Sequence, residues 1–300
     1  MLRHALLASV CAIALAGVAL AADLPSNAPA PVIPPPPPIW DGFFVGVNAG
    51  GLFGAGSAVT TTSYPTTIVD TWESEAQLSS ALASTVLGDN RAGFIGGGQI
   101  GYNYTPSPNW LLGLEADIQG VSGANASAAT SNSGVPYEYP NETITSSNLA
   151  TKSIGYLGTV RGRIGYEVTP TLLAYATGGL AYGGVKSSSS IVQANLNTFG
   201  AVPGAFSSAG NYSATRTGWV VGGGLEWMFA PNWSVNAEYL HYDLGRATYA
   251  LSPLAFYGGF ATPNYSSSPL ASTRFNGNIV RAGISYHFSF GAPAPVVAKY

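Results

Sequence analysis

The chain is 300 residues long and only 8% of them are charged, against about 25% in an ordinary soluble domain, while glycine occurs 38 times. With 11 Lys+Arg against 14 Asp+Glu there is no basic surplus to attract nucleic acid. Beyond the first 22 residues no run approaches the ~20 apolar residues a membrane helix needs. Hydrophobic residues (46%) and aromatics (12%) are instead spread evenly. A bilayer-spanning chain of this kind must cross as a closed barrel of strands, because lipid leaves no other way to satisfy the backbone.

The first element is an address. Arg3 and His4 precede an apolar stretch from Ala5 to Leu20, and Ala19-Leu20-Ala21 fits the small-x-small cleavage rule, so residues 1–21 read as a cleaved signal peptide. The single cysteine, Cys11, lies in mid-stretch after bulky Val10, so the processed chain is expected to carry no thiol, disulfide or thiolate metal site. Losing Arg3 leaves 10 cations against 14 anions, a net charge of -4. Residues 22–39, with Pro25, Pro29, Pro31 and the run Pro34 to Pro38, read as a polyproline II spacer in the periplasm, either plain or touching peptidoglycan.

Eight segments then alternate apolar with small or polar residues, the period-2 mark of strands with two different faces. In the first, residues 40–53, Phe43, Val45, Val47 and Ala49 oppose Gly46, Asn48 and Gly50. In the second, residues 93–104, Phe94, Ile100, Tyr102 and Tyr104 oppose Gln99, Gly101 and Asn103. The third sets Trp110, Leu112, Leu114, Ala116 and Ile118 against Gly113, Glu115, Asp117 and Gln119. The fourth sets Ile154, Tyr156, Val160, Ile164 and Tyr166 against Thr159, Arg161, Arg163 and Glu167. In the fifth, residues 172–186, the inward face is ambiguous: Tyr175 and Thr177 stand against Ala174, Ala176, Leu180 and Tyr182. The sixth sets Trp219, Val221, Leu225, Trp227 and Phe229 against Gly222, Gly224 and Glu226. The seventh sets Trp233, Val235, Ala237 and Tyr239 against Ser234, Asn236 and Glu238. The eighth sets Val280, Ala282, Ile284, Tyr286 and Phe288 against Arg281, Gly283, Ser285 and His287.

The connections give the topology. Residues 105–109, 169–171 and 230–232 are tight proline-containing turns, and they alternate with connections of about 30 residues at 54–92, 120–152, 187–217 and 244–276. These long stretches read as Ser/Thr/Asn/Gly/Pro loops. Short periplasmic turns and long extracellular loops are the asymmetry of a bacterial outer-membrane barrel. The prediction is therefore an all-β, eight-stranded antiparallel up-and-down transmembrane barrel over residues 40–290, with a C-terminal tail at 291–300.

Every charge inside the segments falls on the polar face. A Lys or Arg turned to mid-membrane lipid would cost about 2 to 4 kcal/mol, so this phase is meaningful. Glu115, Asp117, Arg161, Arg163, Glu226, Glu238 and Arg281 are expected to form an ionic network in a lumen just wide enough for side chains. Trp40, Tyr104, Trp110, Tyr166, Phe229, Trp233 and Phe288, beside the short turns or strand ends, are expected to form a periplasmic aromatic girdle.

Other motifs carry little. Gly96 to Gly101 matches G-x-G-x-x-G, but strand alternation and a tight turn follow it rather than a helix; these glycines fit tight sheet curvature instead. The histidines left after processing, His241 and His287, lack partners at ligand spacing, and no G-x-S-x-G elbow occurs. No catalytic, cofactor-binding or metal residue is expected.

The segments WDGFFVGVNAGG (40–51), GGGQIGYNY (96–104), NWLLGLEADIQG (109–120), GTVRGRIGY (158–166), ATGGLAYG (176–183), NWSVNAEYLHYDLG (232–245) and VRAGISYHF (280–288) resemble the small outer-membrane barrels of alphaproteobacteria. These are the porin-family or outer-membrane immunogenic proteins, akin to the membrane domain of outer-membrane protein A. The resemblance covers essentially all of the barrel. It implies eight strands, antigenic surface loops and a role in envelope integrity or host contact, with no enzyme activity. In one respect the chain departs from the family: twelve residues follow Phe288, so either Phe288 or Tyr300 serves as the terminal aromatic of the assembly signal.

The expected function is a surface barrel in the outer membrane that acts through its loops. A narrow pore and a lipid-modifying enzyme using His241 with a loop serine are the alternatives. Expected partners are outer-membrane lipids and lipopolysaccharide, the barrel-assembly machinery, and peptidoglycan or a host surface; nucleic acid is not one.

Overall fold

The computed structural model describes residues 39–69, 71–88, 91–197 and 204–288. The signal peptide, the proline-rich spacer apart from Ile39, and the C-terminal tail lie outside the described residues. In chain order the described elements are β1 (Gly42–Gly54), β2 (Val59–Ile68), α1 (Glu73–Ala83), β3 (Thr85–Leu87), β4 (Ala92–Ser107), β5 (Trp110–Ser122) and β6 (Asn125–Gly134). They continue with β7 (Glu142–Thr169), β8 (Leu172–Asn197), β9 (Gly204–Ala230), β10 (Trp233–Ala250), β11 (Leu254–Phe256) and β12 (Tyr265–His287).

Eight strands close a ring in the order β1-β4-β5-β7-β8-β9-β10-β12, and the ring shuts where β1 pairs antiparallel with β12 from Phe44↔His287 to Gly54↔Gly277. No edge is left in this ring, which is the condition for a sheet to stand in lipid. Alternation then sorts the side chains: Val47, Leu114, Leu180 and Val280 are exposed on the outer wall, whereas Asn48, Glu115, Arg161 and Arg281 are buried within. The fifth segment resolves with Leu173, Tyr175 and Thr177 inward and Leu180 outward.

Inward-facing glycines permit the tight curvature. A Cβ on Gly97 would lie 2.0 Å from the Ile118 carbonyl oxygen, and one on Gly222 2.0 Å from that of Tyr239. The repeated Pro-Asn-Trp turns also have a physical basis. Asn109 (φ 75°) and Asn232 (φ 67°) are left-handed, a conformation asparagine tolerates better than most residues. Each latches the next-door strand end: Asn109 Nδ2 donates to the Glu167 carbonyl at 3.3 Å and Asn232 Nδ2 to that of His287 at 2.6 Å.

Two sequence expectations are corrected. The long connections are not loops over most of their length: β7, β8 and β9 run for 28, 26 and 27 residues, and β2, β3, β6, β11 and α1 fill much of what remains. Both faces of these extensions are rich in Ser, Thr and Asn, so they lack the apolar/polar contrast that marks a strand facing lipid on one side. Ile154, expected on the lipid face, is buried inside because the register shifts between Ile154 and Tyr156. One extra residue, Gly155, inverts the alternation above it.

Gly97→Ala is expected to destabilise the barrel by about 3 kcal/mol, the upper end for overpacking, through a backbone clash and to abolish the heat-modifiable gel band. Gly98→Ala, whose Cβ would meet nothing closer than 3.7 Å, is expected to retain it.

Candidate functional site

The lumen is filled in layers. At the periplasmic mouth Trp40, Leu111, Leu173, Tyr175 and Met228 pack together. Trp40 was expected in the outward girdle, but it is fully buried. The chain turns over the mouth just before β1, the indole donates from Nε1 to the Pro170 carbonyl at 3.1 Å, and the ring meets His287 edge-on at 5.6 Å. An indole with its one donor satisfied makes a good plug.

Above this layer lie the seven charges. Register sets Glu115 of β5 directly opposite Arg161 of β7. Arg161 contacts Glu115 at 2.5 Å, Asp117 at 3.1 Å and, across the barrel, Glu238 of β10 at 2.6 Å. Arg281 of β12 binds Asp117 at 2.9 Å and Glu238 at 2.6 Å. Arg163 reaches Glu226 of β9 at 2.7 Å and Glu115 at 3.6 Å, and its guanidinium lies over Phe44 and Tyr175. Glu167, on the same face in the sequence, lies apart at the periplasmic end of β7 and is only half-buried.

Sequence pattern did not assign His287, Ser234 and Thr159 to this cluster. Glu226 Oε1 accepts from Ser234 Oγ at 2.7 Å and lies 3.1 Å from His287 Nε2, while Thr159 Oγ1 donates to Asp117 at 2.9 Å. All three stood on the polar face, but nothing in the sequence says which wall each would meet.

An apolar layer follows, formed by Leu52, Ile95, Leu157, Val220, Leu240, Phe275 and Ile279 with their neighbours. Beyond it Lys152 is buried, donating to Ser57 Oγ at 2.9 Å and lying 4.9 Å from the centre of the Phe275 ring. Higher still, on the side away from the short turns, polar contacts and two apolar clusters, around Ile191 and Leu251 and around Phe256 and Tyr265, share the cylinder. Tyr249 bonds Ser187 and Ser189 at 3.0 and 2.8 Å. Helix α1 is held by Gln193, which accepts from Ser79 Oγ at 2.6 Å and donates to its carbonyl at 2.8 Å, and by Asn148, which donates to the Leu82 carbonyl at 3.0 Å.

The outward aromatics flank the short turns. Tyr104, Trp110, Tyr166, Phe229 and Trp233 are exposed. Trp110 meets Tyr166 edge-on at 5.4 Å, and Phe288, half-buried, meets Tyr286 in the same way at 5.1 Å.

Glu75 in the first turn of α1 is buried. Burial pushes its carboxyl above the ordinary glutamate range, against the lowering hydrogen bond from Ser74, and the charges of Glu142 and Glu138 add to the rise. The folded state thus favours the protonated form. Docking of α1 is therefore expected to be strongest in acid and to weaken as pH climbs from the ordinary carboxylate value through the raised one.

Arg161→Met leaves three carboxylates short of a cation and is expected to cost about 3 to 5 kcal/mol in urea unfolding from detergent. Glu75→Gln is expected to remove the fall in α1 protection as pH rises above the ordinary carboxylate range. Hydrogen exchange of the α1 amides, corrected for intrinsic rates, reads this directly: wild-type protection falls as pH rises and that of the variant stays level.

Residues 40–288 match the family model described as outer membrane protein beta-barrel domain. The chain is 32% identical over 293 residues to the 31 kDa outer-membrane immunogenic protein of Brucella melitensis biotype 1, covering 96% of this chain and 100% of that one. It is 30% identical over 176 residues to the 22 kDa outer membrane protein of Rhizobium leguminosarum bv. viciae, covering 58% and 64%. Its overlap with the crystal structure of OprG from Pseudomonas aeruginosa is loose, at 8% identity and a TM-score of 0.35 over 83% of this chain and 97% of that one. The closed eight-stranded ring and the match along its whole length make the chain a surface barrel of the outer membrane and a member of the outer membrane protein β-barrel domain family.

Proposed function

We propose that this protein works as a closed, membrane-anchored turret that presents a folded extracellular surface and helps to tie the envelope together, rather than as a diffusion channel. The observation that carries the reading is the filled lumen. Charges contact one another from wall to wall at mid-barrel, and buried apolar layers lie on both sides of them. A barrel of about eight strands has little interior left once its own side chains occupy it.

The turret supports an interaction role. Its strands extend past the membrane instead of ending in short loops, and α1 is docked within it. Tyr137, in the β6–β7 connection, is 96% exposed, the kind of tip that meets antibodies, host surfaces or partner envelope components. The outward aromatics beside the short turns fit a girdle at the periplasmic headgroup level, and the apolar wall fits direct contact with outer-membrane lipid. Delivery by the barrel-assembly machinery and contact of the proline-rich spacer with peptidoglycan belong to the same proposal. A catalytic reading through His241 finds little support. Its Nδ1 lies 2.8 Å from Asn278 Oδ1 and its ring packs on Trp219, in an outward position on the barrel wall.

Two measurements test the proposal. A cysteine at Tyr137 (Y137C) is expected to react with a membrane-impermeant maleimide on intact cells and one at Asn109 (N109C) is not; the reverse pattern overturns the orientation. In planar bilayers the wild type is expected to give no sustained current. A reproducible current altered by Arg161→Met or Glu115→Gln would establish a pore and overturn the closed-turret reading.

A further inference from the structure

We propose that the outer wall at the β10 bulge recognises a phosphate of an anionic glycolipid in the outer leaflet, with Arg246 and Arg274 as its ligands. The proposal rests on the reading of the chain as a membrane-embedded surface barrel and adds a specific lipid site to it.

The distribution of cations points there. Among the described residues, Arg91, Lys152, Arg161, Arg163 and Arg281 are buried inside the cylinder, whereas Lys186, Arg246 and Arg274 are exposed. Arg246 and Arg274 are direct cross-strand partners on β10 and β12. Two like charges placed opposite each other destabilise a sheet unless an anion lies between or above them. The nearby acid is Asp243, whose carboxylate pairs with Arg274 and accepts the Gly245 N–H at 2.8 Å. The outer wall here therefore carries two exposed guanidinium groups against one carboxylate.

The bulge builds this arrangement. The β10–β12 register shifts between Asp243 and Arg246, and Gly245 adopts φ +79°, a left-handed conformation suited to glycine. The shift turns Arg246 onto the outer wall, while Leu244 and Ala247 on either side remain buried.

Height along the wall selects the ligand. Arg246 follows Trp233, at the short-turn end of β10, by 13 positions. At about 3.3 Å rise per residue and roughly 40° tilt, that is about 30 Å above the periplasmic interface, just past an apolar band about 25 Å tall. Between them the outward side chains of this wall are Val235, Ala237, Tyr239 and Val280. Immediately below the arginines the wall becomes amphipathic: Tyr239 donates to Asn278 Oδ1 at 2.9 Å, His241 lies 2.8 Å from the same oxygen, and Trp219 packs on His241. Rings with polar edges mark a membrane–water boundary, and guanidinium groups beside it match a phosphate in geometry and charge.

The test is native mass spectrometry of the full processed chain in detergent, titrated with diphosphoryl lipid A, with the same lipid stripped of phosphate, and with inorganic phosphate. The heat-modifiable gel band reports folding of each variant. Wild type is expected to retain diphosphoryl lipid A and to bind the stripped lipid and free phosphate far more weakly. Arg246→Gln and Arg274→Gln are each expected to weaken binding about fivefold, and the double variant about 25-fold, with the gel band unchanged. Lys186→Gln, two strands away on β8, is expected to stay within about twofold of wild type. Equal binding by the folded double variant, or equal affinity for the stripped lipid, overturns the site. Equal affinity for inorganic phosphate alone overturns the lipid as its occupant. If the wild type lacks a heat-modifiable band, the barrel reading itself fails, an outcome distinct from loss of lipid A binding by a folded barrel.

Discussion

The structure depends on the charges that are locked together inside the ring. Arg161 joins Glu115 and Asp117 on the neighbouring strand to Glu238 on the far wall, and Arg281 closes the same circuit from β12. Such a cluster adds little net stability over an apolar filling of equal volume, yet breaking it leaves an uncompensated buried charge. Its main effect is therefore on register. A slip of one residue on β5, β7, β10 or β12 would carry a charge from the lumen to the lipid and leave its partners bare.

That constraint explains the inverted layering of the membrane segment, apolar outside and ionic within, with plugs of Trp40 and its neighbours below and the Phe275 layer above. It also explains the change of character higher up. Strand β7 is 28 residues long, about 90 Å of extended chain, whereas a tilted span needs roughly 9 to 11 residues. Past the membrane there is no lipid to demand an apolar wall, and the interior mixes serine, asparagine and tyrosine contacts with apolar clusters packed on α1.

The two halves divide the work. The embedded half is filled by its own side chains and, on the proposed reading, acts as an anchor. The extracellular half carries the exposed tips and the docked helix α1, whose Glu75 is buried. The exposed cations Lys186, Arg246 and Arg274 lie on strands that run out of the membrane into this upper half, and the bulge at Gly245 is where β10 changes register on the way.

Much of the embedded half was legible in the chain itself, because alternation is a local property. When one face meets lipid, every second residue from Phe43 to Ala49 or from Trp110 to Ile118 must be apolar or small, and each charge must fall on the other phase. The recurrent Pro-Asn-Trp turns were legible for the same reason: they need only asparagine's tolerance of a left-handed backbone. Tertiary structure alone decided how those faces met. Which carboxylate Arg163 would find, that His287 would lie on Glu226, and that Trp40 would fold inward as a plug depend on the far wall of a closed ring, which no run of neighbouring residues encodes. The extracellular strands and α1 were hidden because their outer face meets water and their inner face mixes Ser, Asn and Gln with apolar residues such as Ile191, Leu251 and Phe256, which blurs the contrast that local pattern reads. The extra residue at Gly155 put Ile154 on the inner face, since a bulge is set by how two strands pair and not by either strand alone.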